Sequence, residues 1–192
     1  MKRDNALAKP IKSSFLSCEK DAETIIKKLF VSSQPYSDEL KRLLVINTRD
    51  CLDNSNEKYN EIVKNTSVKE LMEGNYITLI PKIQIEEHGE VKSYIILTFD
   101  NFVETSNPEY RDCTVAFDIL CHSDYCYLNN YQTRPLKIAG IIDGILNKAK
   151  LSGIGELQFI GGGRLPISED LQGYTLIYQA THGNDDKLPN EE

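Results

Sequence analysis

A chain of 192 residues, 40% hydrophobic and 27% charged, is long enough for one domain plus an accessory segment. Its net charge of -7 and pI near 5.1 argue against a dedicated nucleic-acid binder, whose surface is basic. No stretch approaches the ~20 apolar residues a membrane span needs, and Met1 to Ser14 has basic residues but no apolar signal core, so the chain is expected in a reducing cytosol until assembly.

The pattern opens with a flexible arm over residues 1–17. Ala22, Ile25, Ile26, Leu29 and Phe30 then recur at helical spacing over Glu19 to Phe30. A second helix is expected after Ser37, with Asp38 and Glu39 in its first turn and Leu40, Leu43 and Leu44 as its apolar stripe. Asp50 to Asn60 is polar and reads as a loop or a short exposed helix. Ser67 followed by Glu70 is a capping-box pattern, starting a short helix through Met72 that ends at Gly74.

From Tyr76 the period changes to two. Ile77, Leu79, Ile83 and Ile85 predict a strand that Pro81 confines to an edge or a bulge. Glu87-His88-Gly89-Glu90 is a hairpin-turn candidate, and Ser93 to Phe102 is its return strand. Cys113 to His122 is the clearest strand of the chain. A helix is expected from Arg134 to Lys150, with Pro135 in its first turn and a stripe of Ile138, Ile141, Ile142, Ile145, Leu146 and Ala149. Gly140 and Gly144 inside it cost roughly 1 kcal/mol each against alanine, which suggests close approach by a neighbouring element. Gly153-x-Gly155 reads as the stop after that helix. Glu156 to Ile160 and Tyr174 to Thr181 form a closing strand pair, joined through Gly161-Gly162-Gly163 and the loop to Gln172. The expected division is an arm at 1–17, a helical segment at 18–74, an α+β domain at 75–183 and an acidic tail at 184–192. The fold class is α+β, a mostly antiparallel sheet with a helix packed on one face.

Chemistry is sparse in this pattern. Cys18, Cys51, Cys113, Cys121 and Cys126 are odd in number and irregular in spacing, a poor disulfide framework. Cys113 and Cys121 share one strand face with Val115, Phe117 and Ile119, where thiols act as small apolar groups. Cys121, His122, Asp124 and Cys126 form one loose cluster, without the second ligand pair a zinc site draws on. Cys121 and His122 point to opposite faces of a strand, so a thiol–imidazole pair would have to recruit His182. The glycine triplet before Arg164 lacks the Lys-Ser/Thr of a phosphate loop, and no helix follows it, so a wide turn or bulge between two strands is expected there. Asp118 lies on the second strand face with Thr114, Ala116 and Leu120, the setting of a subunit contact or a solvated carboxylate. No catalytic residue, cofactor or metal is expected. Tyr125, Tyr127 and Tyr131 in a loop are candidates for a protein interface, as are Glu87, His88 and Glu90 in the hairpin turn.

The segments from Asp112 to Cys121, Arg134 to Asn147, Leu151 to Phe159 and Gly173 to Ala180, in the order strand, helix, two closing strands, resemble bacteriophage tail-terminator and neck proteins. The resemblance is to the head–tail connector and tail-completion proteins of gut phages, including the crAss-like group, and it covers Asn75 to Gly183. It implies a structural virion protein, assembled in the host cytoplasm. It implies a homo-oligomeric ring of roughly six or twelve copies, a closed heterologous assembly. The ring would join head or portal to tail, contact other phage neck, portal or tail proteins, and let DNA pass an acidic lumen without specific binding. Edge strands between Ile77 and Phe102 would pair across subunits, and both termini would order on meeting the next ring. The other readings are a non-catalytic adaptor that recognises peptides at its sheet edge, and a cysteine-dependent enzyme.

Overall fold

A computed structural model describes residues 14–79, 92–107, 110–129, 131–166 and 169–183. Four helices come first: α1 (Ser14–Phe30), α2 (Tyr36–Val45), α3 (Glu57–Asn65) and α4 (Val68–Glu73). Strands β1 (Ile77–Thr78), β2 (Ser93–Glu104) and β3 (Tyr110–His122) follow, then helix α5 (Arg134–Leu146). The chain closes with β4 (Lys150–Leu151), β5 (Gly155–Glu156), β6 (Gln158–Pro166) and β7 (Leu171–Gly183). The main sheet has five strands in the order β1-β2-β3-β7-β6, antiparallel except for β1 on β2. This is the α+β class expected from the change of period.

One apolar core joins the helices to the sheet. Ala22, Ile25, Ile26, Leu29 and Phe30 of α1 are all buried, as their spacing predicts. They meet Leu40, Leu43 and Leu44 of α2, Ile138 and Ile142 of α5, and the inward row of the sheet. That row holds Ile95 and Leu97 of β2, Cys113, Val115, Phe117, Ile119 and Cys121 of β3, and Tyr178 and Ala180 of β7. The period of two along β3 therefore sends its odd-numbered residues into the helical layer.

Several local expectations are corrected. Helix α1 begins at Ser14, inside the segment read as an arm, and α2 begins at Tyr36. The polar stretch after Asp50, read as a loop or a short exposed helix, holds turns as far as Asn56 and then helix α3, which the Asn56 side chain caps by accepting from the Tyr59 N–H at 3.4 Å. The Ser67–Glu70 capping box is present in full, with the Ser67 N–H donating to Glu70 Oε2 at 2.7 Å. Ile77–Thr78 runs parallel to Ile95–Ile96, not antiparallel as a hairpin requires. The Ile95 N–H donates to the Tyr76 carbonyl at 2.9 Å, a pairing that starts the chain beside β2 in the same direction. The expected turn, with Glu87, His88 and Glu90, lies outside the described residues, as do residues 1–13 of the arm and the tail at 184–192.

Helix α5 stops at Leu146, short of the Lys150 its stripe suggested. Lys148 takes a φ of 62° and its N–H donates to the Leu157 carbonyl at 2.7 Å, drawing the chain into the β4–β5 ribbon. Gly153 (φ 90°) and Gly155 (φ 72°) therefore serve this ribbon and not the helix end. A Cβ at Gly153 would also stand 2.7 Å from Asp21 Oδ1. The glycine triplet 161–163, read as a wide turn or bulge, makes no turn. It lies inside β6, hydrogen-bonded in register with Thr175 to Ile177 of β7, with a bulge between Phe159 and Gly161.

Candidate functional site

Among the described residues, Arg134 is the most buried charged group, with 0% exposure. Its Nε donates to the Tyr125 carbonyl at 3.0 Å. One terminal nitrogen donates to the carbonyls of Leu43 (2.5 Å) and Ile46 (3.0 Å), and the other to Thr48 (2.7 Å). Leu43 and Ile46 are at the end of α2, where unpaired carbonyls gather negative partial charge. One guanidinium thus closes α2 and fixes the Tyr125 loop to the start of α5. Arg42 does similar work nearby, donating to the carbonyls of Cys51 and Asp53 and to Asn60 Oδ1. Sequence pattern missed this role. Its trace was the placing of a cation at a helix N-terminus, the end that disfavours positive charge.

That clasp presents the tyrosine loop. Tyr125 is half-buried in a short 3-10 helix, Ser123–Tyr125. Tyr127 is 62% exposed and bridges to Thr133, and Tyr131, with a φ of 60°, is fully exposed. His122 caps the 3-10 helix, its Nδ1 accepting from the Asp124 N–H at 3.3 Å.

The thiols are placed for packing. Cys113 and Cys121 are buried, and burial pushes both up to about 12. Cys126 donates its S–H to the Cys121 carbonyl at 3.6 Å, and burial raises it too. Pairing of Cys121 with His182 is ruled out by register. Cys121 sits opposite Gln172 and His182 opposite Arg111, roughly 33 Å apart along β3 at 3.3 Å per residue. Among the described residues, no three His, Cys, Asp or Glu side chains converge as metal ligands would. Because the folded thiols hold protons that unfolded ones lose from about pH 9, folding stability is full below pH 9 and falls as pH rises towards 12. Urea unfolding across that range should show the decline, and Cys113→Ala with Cys121→Ala should flatten it.

On the second sheet face, Asp118 accepts from Thr175 Oγ1 and Asp112 from Thr181 Oγ1 (2.6 Å). Both carboxylates therefore tie β3 to β7.

Gly140 and Gly144 do not receive a neighbouring element. A Cβ at either would meet nothing within 4 Å. Both line an open groove of about 370 Å³ with Tyr36, Leu136, Ile141 and Ile145, spanned by a 2.8 Å Lys137–Glu39 ion pair. Changing Gly140 or Gly144 to alanine should raise the stability of the isolated chain by roughly 1 kcal/mol each. Urea denaturation would read this directly, and a loss of stability would mean the space is occupied.

Strand β6 is the other unusual surface. Phe159 and Ile160 are 43% and 53% exposed, and most of the strand is exposed on both faces. Phe159 rests edge-on against Tyr178 with ring centroids 5.7 Å apart, and Tyr178 against Phe117 at 5.9 Å. The Tyr178 hydroxyl donates to Asp143 at 3.0 Å. This aromatic row ties a bare sheet edge to the core.

The fold and its surfaces define an α+β protein in which the buried Arg134 and Arg42 hold its own elements together, with a sheet edge and a tyrosine loop among its exposed surfaces. The chain belongs to the YomW family, a phage-type family whose profile matches residues 37–180. No curated protein matches its sequence. A chain in the solved virion of a native gene transfer agent (GTA) particle is similar to it at 15% identity and a TM-score of 0.41, over 65% of this chain and 90% of that one.

Proposed function

We propose that this protein is a structural component of a phage-type virion. It forms a closed ring at the head–tail junction or the tail end, joins the head or portal complex to the tail, and leaves a passage for DNA. The observation that carries this reading is membership of a phage-type family over residues 37–180. The chemistry agrees with it. Burial suppresses the thiolate form of Cys113, Cys121 and Cys126, and Arg134 and Arg42 are spent on backbone carbonyls. On this reading the protein works by contact with its neighbours. A net charge of -7 suits a passage through which a polyanion slides without adhering.

Deleting the gene tests the position. Full heads and separate tails should accumulate, and the gene supplied in trans should rejoin them. Normal, infectious particles from the deletion strain would contradict this role. The bare edge of β6 favours a second reading, an adaptor that holds an extended peptide by strand addition. Recovery of one cellular partner, with no multimer of the protein itself, would support the adaptor instead.

A further inference from the structure

Strand β6 is a lightly protected sheet edge, with its one bulge near its start. Arg164 is its only charged residue, Pro166 stands at its very end, and Gly161 and Gly163 have nothing within 4 Å of a Cβ position. On the far side of the sheet, β1 pairs with β2 only at Ile95 and Ile96 among the described residues. Leu97 to Glu104 continues β2 beyond that point.

We propose that β6 of one copy adds to β2 of the next, so that the sheet continues from subunit to subunit; this rests on the ring reading above. Two features select β2 as the occupant. First, direction: β2, β3, β7 and β6 alternate, so copies related by rotation about an axis along the strands bring β6 against β2 antiparallel. Second, bulges: β2 carries one between Asp100 and Val103, and β6 one between Phe159 and Gly161. Each inserts one extra residue. When Gly163 is set opposite Asp100, the bulges lie side by side and every pair outside them shares a face. Arg164 then meets Phe99, Leu165 meets Thr98, and Phe159 meets Glu104. Pairing ends at Leu97, next to Ile96, where the span paired with β1 begins. The contact is heterologous, and it closes into a ring when the rotation between copies divides a full turn.

Cysteines placed at the predicted pair test this. In a background with Cys18 and Cys126 changed to serine, Gly163→Cys and Asp100→Cys are made as separate proteins and as a double variant. Under mild oxidation, the mixed single variants should give a disulfide-linked dimer, and the double variant a ladder of multimers. A disulfide dimer of Gly163→Cys alone would overturn the proposal in favour of a two-fold β6–β6 contact. Rings of the wild type in electron micrographs, without a Gly163–Asp100 link, would overturn it and leave the ring reading standing. A wild type that stays monomeric at every concentration and enters no particle would sink both. As a second variant, Ile160→Lys should keep the monomer folded while cutting the ring fraction at least about tenfold, since an edge lysine opposes strand addition.

Discussion

Replacing Arg134 with alanine is expected to lower stability by about 4 kcal/mol. The carbonyls of Leu43, Ile46, Thr48 and Tyr125 would lose their donor together. Each buried acceptor left unpaired costs about 1–3 kcal/mol, and local relaxation with water entering the gap brings the sum below a simple addition. The cost is not only local, because the guanidinium connects the end of α2 to the start of α5, elements far apart in sequence. Arg134→Lys should recover less than half of the loss. An ammonium is a point charge and cannot spread its donors over four carbonyls the way a planar fork does. Urea unfolding of both variants checks this. A loss under about 1 kcal/mol for Arg134→Ala would mean that water already shares those carbonyls.

Gly173→Ala is the second large effect expected. Gly173 lies in β7 opposite Leu120, in the middle of the sheet. A Cβ there would collide with the Ile119 carbonyl oxygen and stand 2.8 Å from its carbon, both backbone atoms of β3. No side chain can swing aside to make room. The strands would have to separate at the best-paired ladder of the fold, at an expected cost of about 3 kcal/mol. Gly161→Ala and Gly163→Ala are the matched controls. Both positions are glycines in the same sheet, both have open space around the Cβ, and both should shift stability by less than about 0.5 kcal/mol in the isolated chain. Equal effects at all three positions would mean that intrinsic strand propensity, not the close approach at Gly173, sets the cost.

Much of the fold was legible because its signals are short-range. The Ser67–Glu70 box, the alternation along β3 and the apolar face of α5 each declare themselves within a few residues, and each appears in the structure. What escaped depends on distant partners. The direction of β1 is set by its partners on β2, Ile95 and Ile96. Three consecutive glycines have poor strand propensity, so they read as a wide turn or a bulge; the ladder to β7 carries them through as strand, with the bulge at its start. The edge of β6 was therefore invisible in the sequence. Of the interface candidates, Tyr127 and Tyr131 are exposed and Tyr125 is half-buried, its carbonyl taken by Arg134. Arg134 itself looked like an ordinary helix start, since its acceptors lie 86 to 91 positions earlier in three of four cases.

Mass spectrometry of density-gradient-purified particles tests the virion assignment most directly. The protein should co-purify with capsid and tail proteins, in a low fixed ratio to the capsid subunit that persists through repeated gradients. Its absence from infectious particles, with the protein abundant in the lysate that produced them, would contradict a role as a virion subunit.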